Sequence, residues 1–292
     1  MAVSARRRIV ADAVLFAVAC SWGATFPLAK RILVELPPFC YLTLRFALAA
    51  VLLLLVARRT LRGLSRRSIA DGLVLGLLLA GGYALQTLGL RTASATVAAF
   101  LTGLSVVMVP LLGAARGRRP GGREWMGVVL ALAGLALLTL RPGAGFRPGL
   151  GELLVVGCAL CFALHISYQE GAAARAPALP LGTLQLAGVA LVTSLFSTGE
   201  RWPSDLTPFT TWAIVFMAVV CSAAAFTLQA WAQRFTSPTH VGLLFAFEPV
   251  AAALFAWWWL GERLTGPQWI GAALILAGIV VTEAKGSPPS AS

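Results

Sequence analysis

Lysine is nearly missing from this chain: Lys30 and Lys285 are the only two in 292 residues, and charged side chains of all kinds make up 12%. Long polar stretches are missing too. The longest polar breaks are 58–67, 116–123, 141–148 and 199–208, none of them large enough for a folded domain outside a membrane. A soluble protein with a net charge of +12 would point to nucleic acid. With 59% hydrophobic residues, the same charge belongs to a polytopic membrane protein whose arginines sit in short loops and meet anionic lipid. Membrane lipid is therefore the expected partner, and nucleic acid is not.

Other absences narrow the chemistry. No G-x-x-x-x-G-K-[ST] loop occurs, so the chain carries no ATPase domain of its own. The cysteines Cys20, Cys40, Cys158, Cys161 and Cys221 all lie in apolar runs. Cys158 and Cys161 share a helix face, but no second His or Cys pair completes a metal site, so neither metal nor cofactor is expected. No nucleophile elbow or other catalytic constellation can be assembled, which argues against an enzyme. The apolar run after Arg6–Arg8 continues through Trp22 to Val34, too long for a signal-peptide core of about 7–15 residues, so the first span is expected to be retained.

What is present is a series of apolar runs, each close to the roughly 20 residues that cross a bilayer as a helix. Ten spans are expected, at about 10–33, 38–57, 68–90, 93–114, 123–140, 149–170, 178–198, 208–233, 237–260 and 266–284. With the N-terminus inside, Arg6–Arg8, Arg58, Arg59, Arg62, Arg66, Arg67, Arg116, Arg118, Arg119, Arg123, Arg175, Arg234 and Lys285 fall on the cytoplasmic side. They outnumber Lys30, Arg31, Arg91, Arg141, Arg147, Arg201 and Arg263 on the other, so both termini are expected in the cytoplasm.

The chain also repeats itself. Tyr83-Ala84-Leu85-Gln86 lines up with Phe226-Thr227-Leu228-Gln229 at a shift of 143, which also brings Arg91 onto Arg234, Ser94 onto Ser237 and Thr96 onto Thr239. At a shift of 144, Gly117, Trp125, Gly127, Leu130 and Gly134 meet Gly261, Trp269, Gly271, Leu274 and Gly278. Two repeats of five spans, 1–145 and 146–292, must insert with opposite orientations. That is the inverted-repeat plan of secondary transporters, whose substrate site lies near the midplane between the halves. The glycine pairs Gly72/Gly76, Gly127/Gly134 and Gly271/Gly278 read as smooth faces that let helices approach closely in lipid.

Glu248, followed by Pro249, stands near the middle of the ninth span. A carboxylate at that depth costs about 2.5–3.5 kcal/mol on insertion scales and by default marks a substrate or ion path. The plainer reading is a polar residue that holds the bundle together. Pro249 is expected to leave a carbonyl one turn earlier unpaired within a continuous helix. Trp22-Gly23 with Phe26-Pro27 joins an aromatic wall to a helix break, and Phe162, His165 and Tyr168 are its rough counterpart in span six. Tyr83 and Gln86 in span three, and Phe226, Gln229 and Trp231 in span eight, complete an aromatic-lined pocket with a few hydrogen-bonding groups. Trp22, Tyr83, Gln86, His165, Gln229 and Glu248 are the candidate substrate-binding residues; catalytic residues are not expected. Arg45, whose approximate repeat partner is Gln185, reads as structural and shallow enough to snorkel outward. His165 could couple protons; His240 is a weaker candidate at the edge of span nine. Trp257–Trp259 read as an interfacial belt.

These residues carry a resemblance over nearly the whole chain, in two copies, to the EamA-type transporters of the drug/metabolite transporter superfamily. The matching features are Trp22-Gly23…Phe26, Leu44-Arg45-Phe46, Tyr83-Ala84-Leu85-Gln86, Ala95…Ala99, Glu248-Pro249 and Leu260-Gly261-Glu262-Arg263-Leu264-Thr265. Gln268 and Gly271…Gly278 complete the second copy. The resemblance implies an all-α integral membrane protein of ten helices around a central cavity, and export of amino acids, metabolites or drugs from bacteria. The branch of aromatic amino-acid exporters fits the aromatic lining. The related four-helix multidrug transporters use a membrane-embedded Glu in their first helix; here that helix has Cys20-Ser21-Trp22, so their proton mechanism does not carry over. The expectation is a monomeric, inner-membrane secondary transporter exporting amino acids or similar small metabolites by alternating access. A multidrug or organic-cation exporter is the alternative, and a non-transporting scaffold subunit the second.

Overall fold

In hydrocarbon each backbone N–H must find a partner within its own segment, so apolar runs of this length become helices. The computed structural model describes residues 5–118, 120–139, 149–260 and 265–283, which are helical with short connections and contain no strand. The helices are α1 (Ala5–Gly23), α2 (Thr25–Glu35), α3 (Pro38–Leu61), α4 (Arg66–Leu90), α5 (Ala95–Gly103), α6 (Ser105–Ala115) and α7 (Gly122–Thr139). There follow α8 (Leu150–Arg175), α9 (Ala178–Ser197), α10 (Pro208–Ala218), a π-helical stretch Val219–Ala224, α11 (Ala225–Ala232), α12 (Pro238–Phe245), α13 (Glu248–Leu260) and α14 (Gly266–Glu283). Among the described residues, eight segments are long and apolar enough to cross a membrane. The fifth and tenth expected spans correspond to α7 and to the shorter apolar helix Gly266–Thr282. The Trp257–Trp259 side chains, Arg119, Arg141, Arg147, Gly261–Leu264 and Lys285 lie outside the described residues.

Four expected spans are interrupted. The first breaks at Ala24, beside Gly23, as the sequence suggested. The fourth breaks at Leu104, between α5 and α6, where no proline or charge announces it. The ninth is not the continuous helix expected from 237–260: it stops at Phe245 and restarts at Glu248. Pro249 is thus the second residue of α13, where its missing N–H is one of the unpaired donors of a helix start anyway. Glu248 occupies the first turn, where the dipole favours a carboxylate. The eighth span contains the π-helical turns between α10 and α11.

Packing follows the repeat. α3 lies on α9 and α7 on α14, both pairs of repeat-equivalent helices, while α4 packs on α8 and α9. Close approach is set by the paired glycines. A Cβ on Gly127 would stand 2.7 Å from the Gly278 carbonyl oxygen, and one on Gly278 would stand 2.7 Å from that of Gly127. Gly76 faces the Gln185 carbonyl and the Gly188 Cα in the same manner. Exposed side chains such as Leu55, Val56, Val129 and Leu191 form the apolar surface that lipid would cover.

The two halves of the chain meet through polar contacts at both ends of the bundle. Where α4 begins and α8 ends, the buried Asp71 carboxylate accepts from Arg175 Nε at 2.8 Å and from the Tyr168 hydroxyl at 2.8 Å, with Arg67 Nε 3.4 Å away. Arg118 pairs with Glu170 at 2.9 Å, and His240 Nε2 lies 3.3 Å from Asp12 Oδ1. At the opposite end Thr207 donates to Glu35, and the Cys40 N–H to Glu200 at 2.8 Å.

Helix starts repeat as well. Ser94 Oγ accepts from the Val97 N–H at 3.2 Å to cap α5, and Ser237 Oγ accepts from the His240 N–H at 3.3 Å to cap α12. Loss of such a cap costs about 1 kcal/mol. Ser237→Ala is therefore expected to lower the thermal midpoint of the detergent-solubilised protein by a few degrees without changing its oligomeric profile. An unchanged midpoint would show that packing alone fixes the start of α12.

Candidate substrate cavity

The interruptions converge. A cavity lies where α1, α4, α5, α8, α11 and α12 meet the starts of α2, α6 and α13, with Glu248 in its wall. It measures about 540 Å³ counted out to its mouth.

Most of the wall is made of pairs of positions related by the shift of 143: Trp22 with His165, Tyr83 with Phe226, Gln86 with Gln229, Thr102 with Phe245, and Ser105 with Glu248. Thr25, Leu79, Gly103, Phe162 and Ile166 complete it. All six residues singled out from the sequence thus stand in one wall. The rings run in series. Trp22 lies 4.8 Å from Phe245 and 5.2 Å from Phe226, between centroids, and Tyr83 lies 6.1 Å from Phe226 and 5.2 Å from Phe162. These tilted and edge-on contacts are the arrangements that aromatic quadrupoles favour.

Two side chains are fixed by the π-helical stretch, whose widened turn is a device common at functional sites. Trp22 Nε1 donates to the Cys221 carbonyl at 2.8 Å. Arg45 Nε donates to Ser222 Oγ at 2.9 Å and Nη1 to the Tyr41 hydroxyl at 3.1 Å, while Nη2 reaches the Cys221 carbonyl at 3.5 Å. Arg45 does not snorkel: it is 2% exposed, because the Tyr41 hydroxyl on its own helix and the Ser222 hydroxyl and Cys221 carbonyl of the π-helical stretch meet its guanidinium inside the bundle. Nor does it line the cavity. It sits behind the Tyr83 ring, 5.0 Å from its centroid.

The polar groups of the wall differ in how they are tied. Gln86 Nε2 donates to Thr102 Oγ1 at 3.3 Å, and His165 Nε2 lies 2.8 Å from Gln185 Oε1. Gln229 Nε2 donates to Gln233 Oε1 at 2.9 Å, leaving its own Oε1 buried without a partner. Among the described residues no hydrogen bond reaches the Glu248 carboxylate. Phe26, Trp231 and Tyr168 stand elsewhere: Phe26 in the buried core, Trp231 edge-on to Phe235, and Tyr168 on Asp71.

The model of the EamA-like transporter family matches this chain twice, at residues 9–140 and 149–283. The chain belongs to that family. An uncharacterized transporter of Archaeoglobus fulgidus is 29% identical over 280 residues, covering 96% of this chain and 87% of that protein. The uncharacterized inner membrane transporter YedA of Escherichia coli K12 is 26% identical, covering 91% and 88%. A solved crystal structure of 20% identity superposes with a TM-score of 0.78 over 94% of this chain and 96% of its own, which shows the fold alone. As an EamA-family member the chain is a multi-pass membrane transporter rather than an enzyme, and a small molecule is its substrate.

Of the wall, the sequence reading missed Thr25, Leu79, Thr102, Gly103, Ser105, Ile166 and Phe245. Ser105 and Thr102 had a usable signal, since a shift of 143 carries Glu248 and Phe245 onto them.

Proposed function

We propose that this EamA-family protein exports amino acids or similar small metabolites across the inner membrane of a bacterium by alternating access. The observation that carries the reading is the pairwise wall: repeat-equivalent positions from both halves face one small cavity, as expected where two halves rock about a shared site. The halves are 1–145 and 146–292, each of five spans inserted with opposite orientation and both termini in the cytoplasm. Packing of α3 on α9 and of α7 on α14 supports the two-fold relation, and the arginine distribution supports the orientation. The name of the Escherichia coli relative supports the inner membrane. Trp22, Tyr83, Gln86, His165, Gln229 and Glu248 bind the substrate in this reading, with a single chain as the working unit.

The test is counterflow of radiolabelled amino acids into liposomes holding the purified full-length protein, with and without an imposed pH gradient. Uptake about tenfold above protein-free liposomes is expected for at least one apolar or aromatic amino acid, a margin equivalent to about 1.4 kcal/mol. Uptake indifferent to the gradient identifies a facilitator, and uptake driven by it makes Glu248 and His165 the coupling groups. Failure with every amino acid would overturn this substrate class.

A further inference from the structure

We propose that the cavity selects a primary ammonium group borne on an apolar or aromatic body, with the Glu248 carboxylate and the Gln229 amide oxygen as its acceptors. The inference rests on the transporter reading above and names the chemical group that reading leaves open.

The argument begins with an amide whose orientation is forced. A side-chain amide can usually be turned end for end, and only its hydrogen-bond network decides which atom points where. Gln233 Nε2 donates to the Ile166 carbonyl at 3.1 Å, and a backbone carbonyl can only accept. Gln233 Oε1 is therefore the acceptor at the other end, and it takes both Gln169 Nε2 and Gln229 Nε2 at 2.9 Å. Gln229 is thus held by its nitrogen. Its oxygen is left buried on a residue of the cavity wall that is 1% exposed, with no donor among the described residues. A buried acceptor without a donor is uncommon, and each one needs an explanation. Here the explanation is a donor brought by the solute.

The second acceptor is Glu248. Its carboxylate shares the wall and receives no hydrogen bond among the described residues. Two acceptors, one of them an acid, call for a donor with several hydrogens and a positive charge, which an ammonium supplies. The rings add to this, since Trp22, Phe226 and Phe245 present π-faces and edges around the same space. Arg45 is kept out of the wall behind Tyr83 and committed to Ser222, Tyr41 and Cys221. The repeat makes the site one-sided. The equivalent of Glu248 is Ser105 and that of His165 is Trp22, so the charged head belongs against α11 and α13 and the body against α1 and α4.

The experiment compares four labelled probes in liposomes holding the full chain: L-phenylalanine, phenethylamine, 3-phenylpropionate and N-acetyl-L-phenylalanine. Each is also tested for its effect on the thermal midpoint of the purified protein in detergent. The amine-bearing probes are expected to enter at least tenfold faster than the two that lack a free amine, and only they should raise the midpoint. Glu248→Gln and Gln229→Met should each bring that preference down towards unity. A change that merely damages the fold would instead slow all probes alike and leave their ratio intact, which would overturn the proposal. Equal entry of phenylpropionate or the N-acetyl compound would also overturn it while leaving the transporter reading standing. No flux of any probe, with amine-specific stabilisation that the two variants abolish, would sink the exporter reading and keep the ammonium site. No flux and no stabilisation by either amine would sink the ammonium site.

Discussion

Glu248→Gln is expected to slow amino-acid counterflow between tenfold and a hundredfold, with the variant reaching the membrane at the normal level and eluting as the native protein does. Hydrogen bonds to a charged group contribute about 1.5–3 kcal/mol, and 1.4 kcal/mol is a factor of ten, so the loss of one charged acceptor predicts that range. Glutamine fills nearly the same volume, and among the described residues no hydrogen bond to the carboxylate is there to be lost. The folded protein should therefore be as stable as before, or slightly more so, because a carboxylate in an aromatic-lined wall is costly to keep ionised. This separates the two readings of an acid in an apolar run. If Glu248 held the bundle together, its replacement would lower the thermal midpoint and the membrane yield along with transport. Normal flux would remove Glu248 from the site altogether.

The placement of Glu248 also shows what the chain made legible and what it hid. Residues that break the apolar pattern, Trp22, Tyr83, Gln86, His165, Gln229 and Glu248, stand together in the structure because a lipid-facing helix gives polar groups no other place to go. The repeat was legible for the same reason: its Gln, Ser and Thr matches are costly exceptions in an apolar background. Helix phase was not. Phe26 belongs to the same short motif as Trp22, but the helix breaks at Ala24 between them, and Phe26 is buried in the core rather than in the cavity wall. The break at Leu104 has neither proline nor charge, and with it Thr102 and Ser105 went unseen. The π-helical turns at Val219–Ala224 are one more case. Nothing in an apolar stretch of small residues distinguishes an i→i+5 ladder from the usual one, yet that stretch holds both Trp22 and Arg45.

Arg45 is where the larger structural effect is expected. Arg45→Leu should cost about 3 kcal/mol or more, since each buried polar group left without its partner costs about 1–3 kcal/mol. Three partners lose a donor at once: Ser222 Oγ, the Tyr41 hydroxyl and the Cys221 carbonyl. Arg45→Lys should recover only part of this, because an ammonium keeps the charge but cannot span three acceptors on two helices with a planar fork. Charge is a separate contribution to test, since Arg45 stands behind the Tyr83 ring of the wall that also holds Glu248. A double-mutant cycle measures it. If Arg45 balances the Glu248 charge, then Glu248→Gln added to Arg45→Leu should restore about 1 kcal/mol or more, the scale of coupling between interacting sites. Thermal unfolding of the four proteins in detergent reads that coupling directly. Strict additivity would make Arg45 a brace for the π-helical turn alone, and the substrate would then meet Glu248 as a carboxylate whose charge no other side chain offsets.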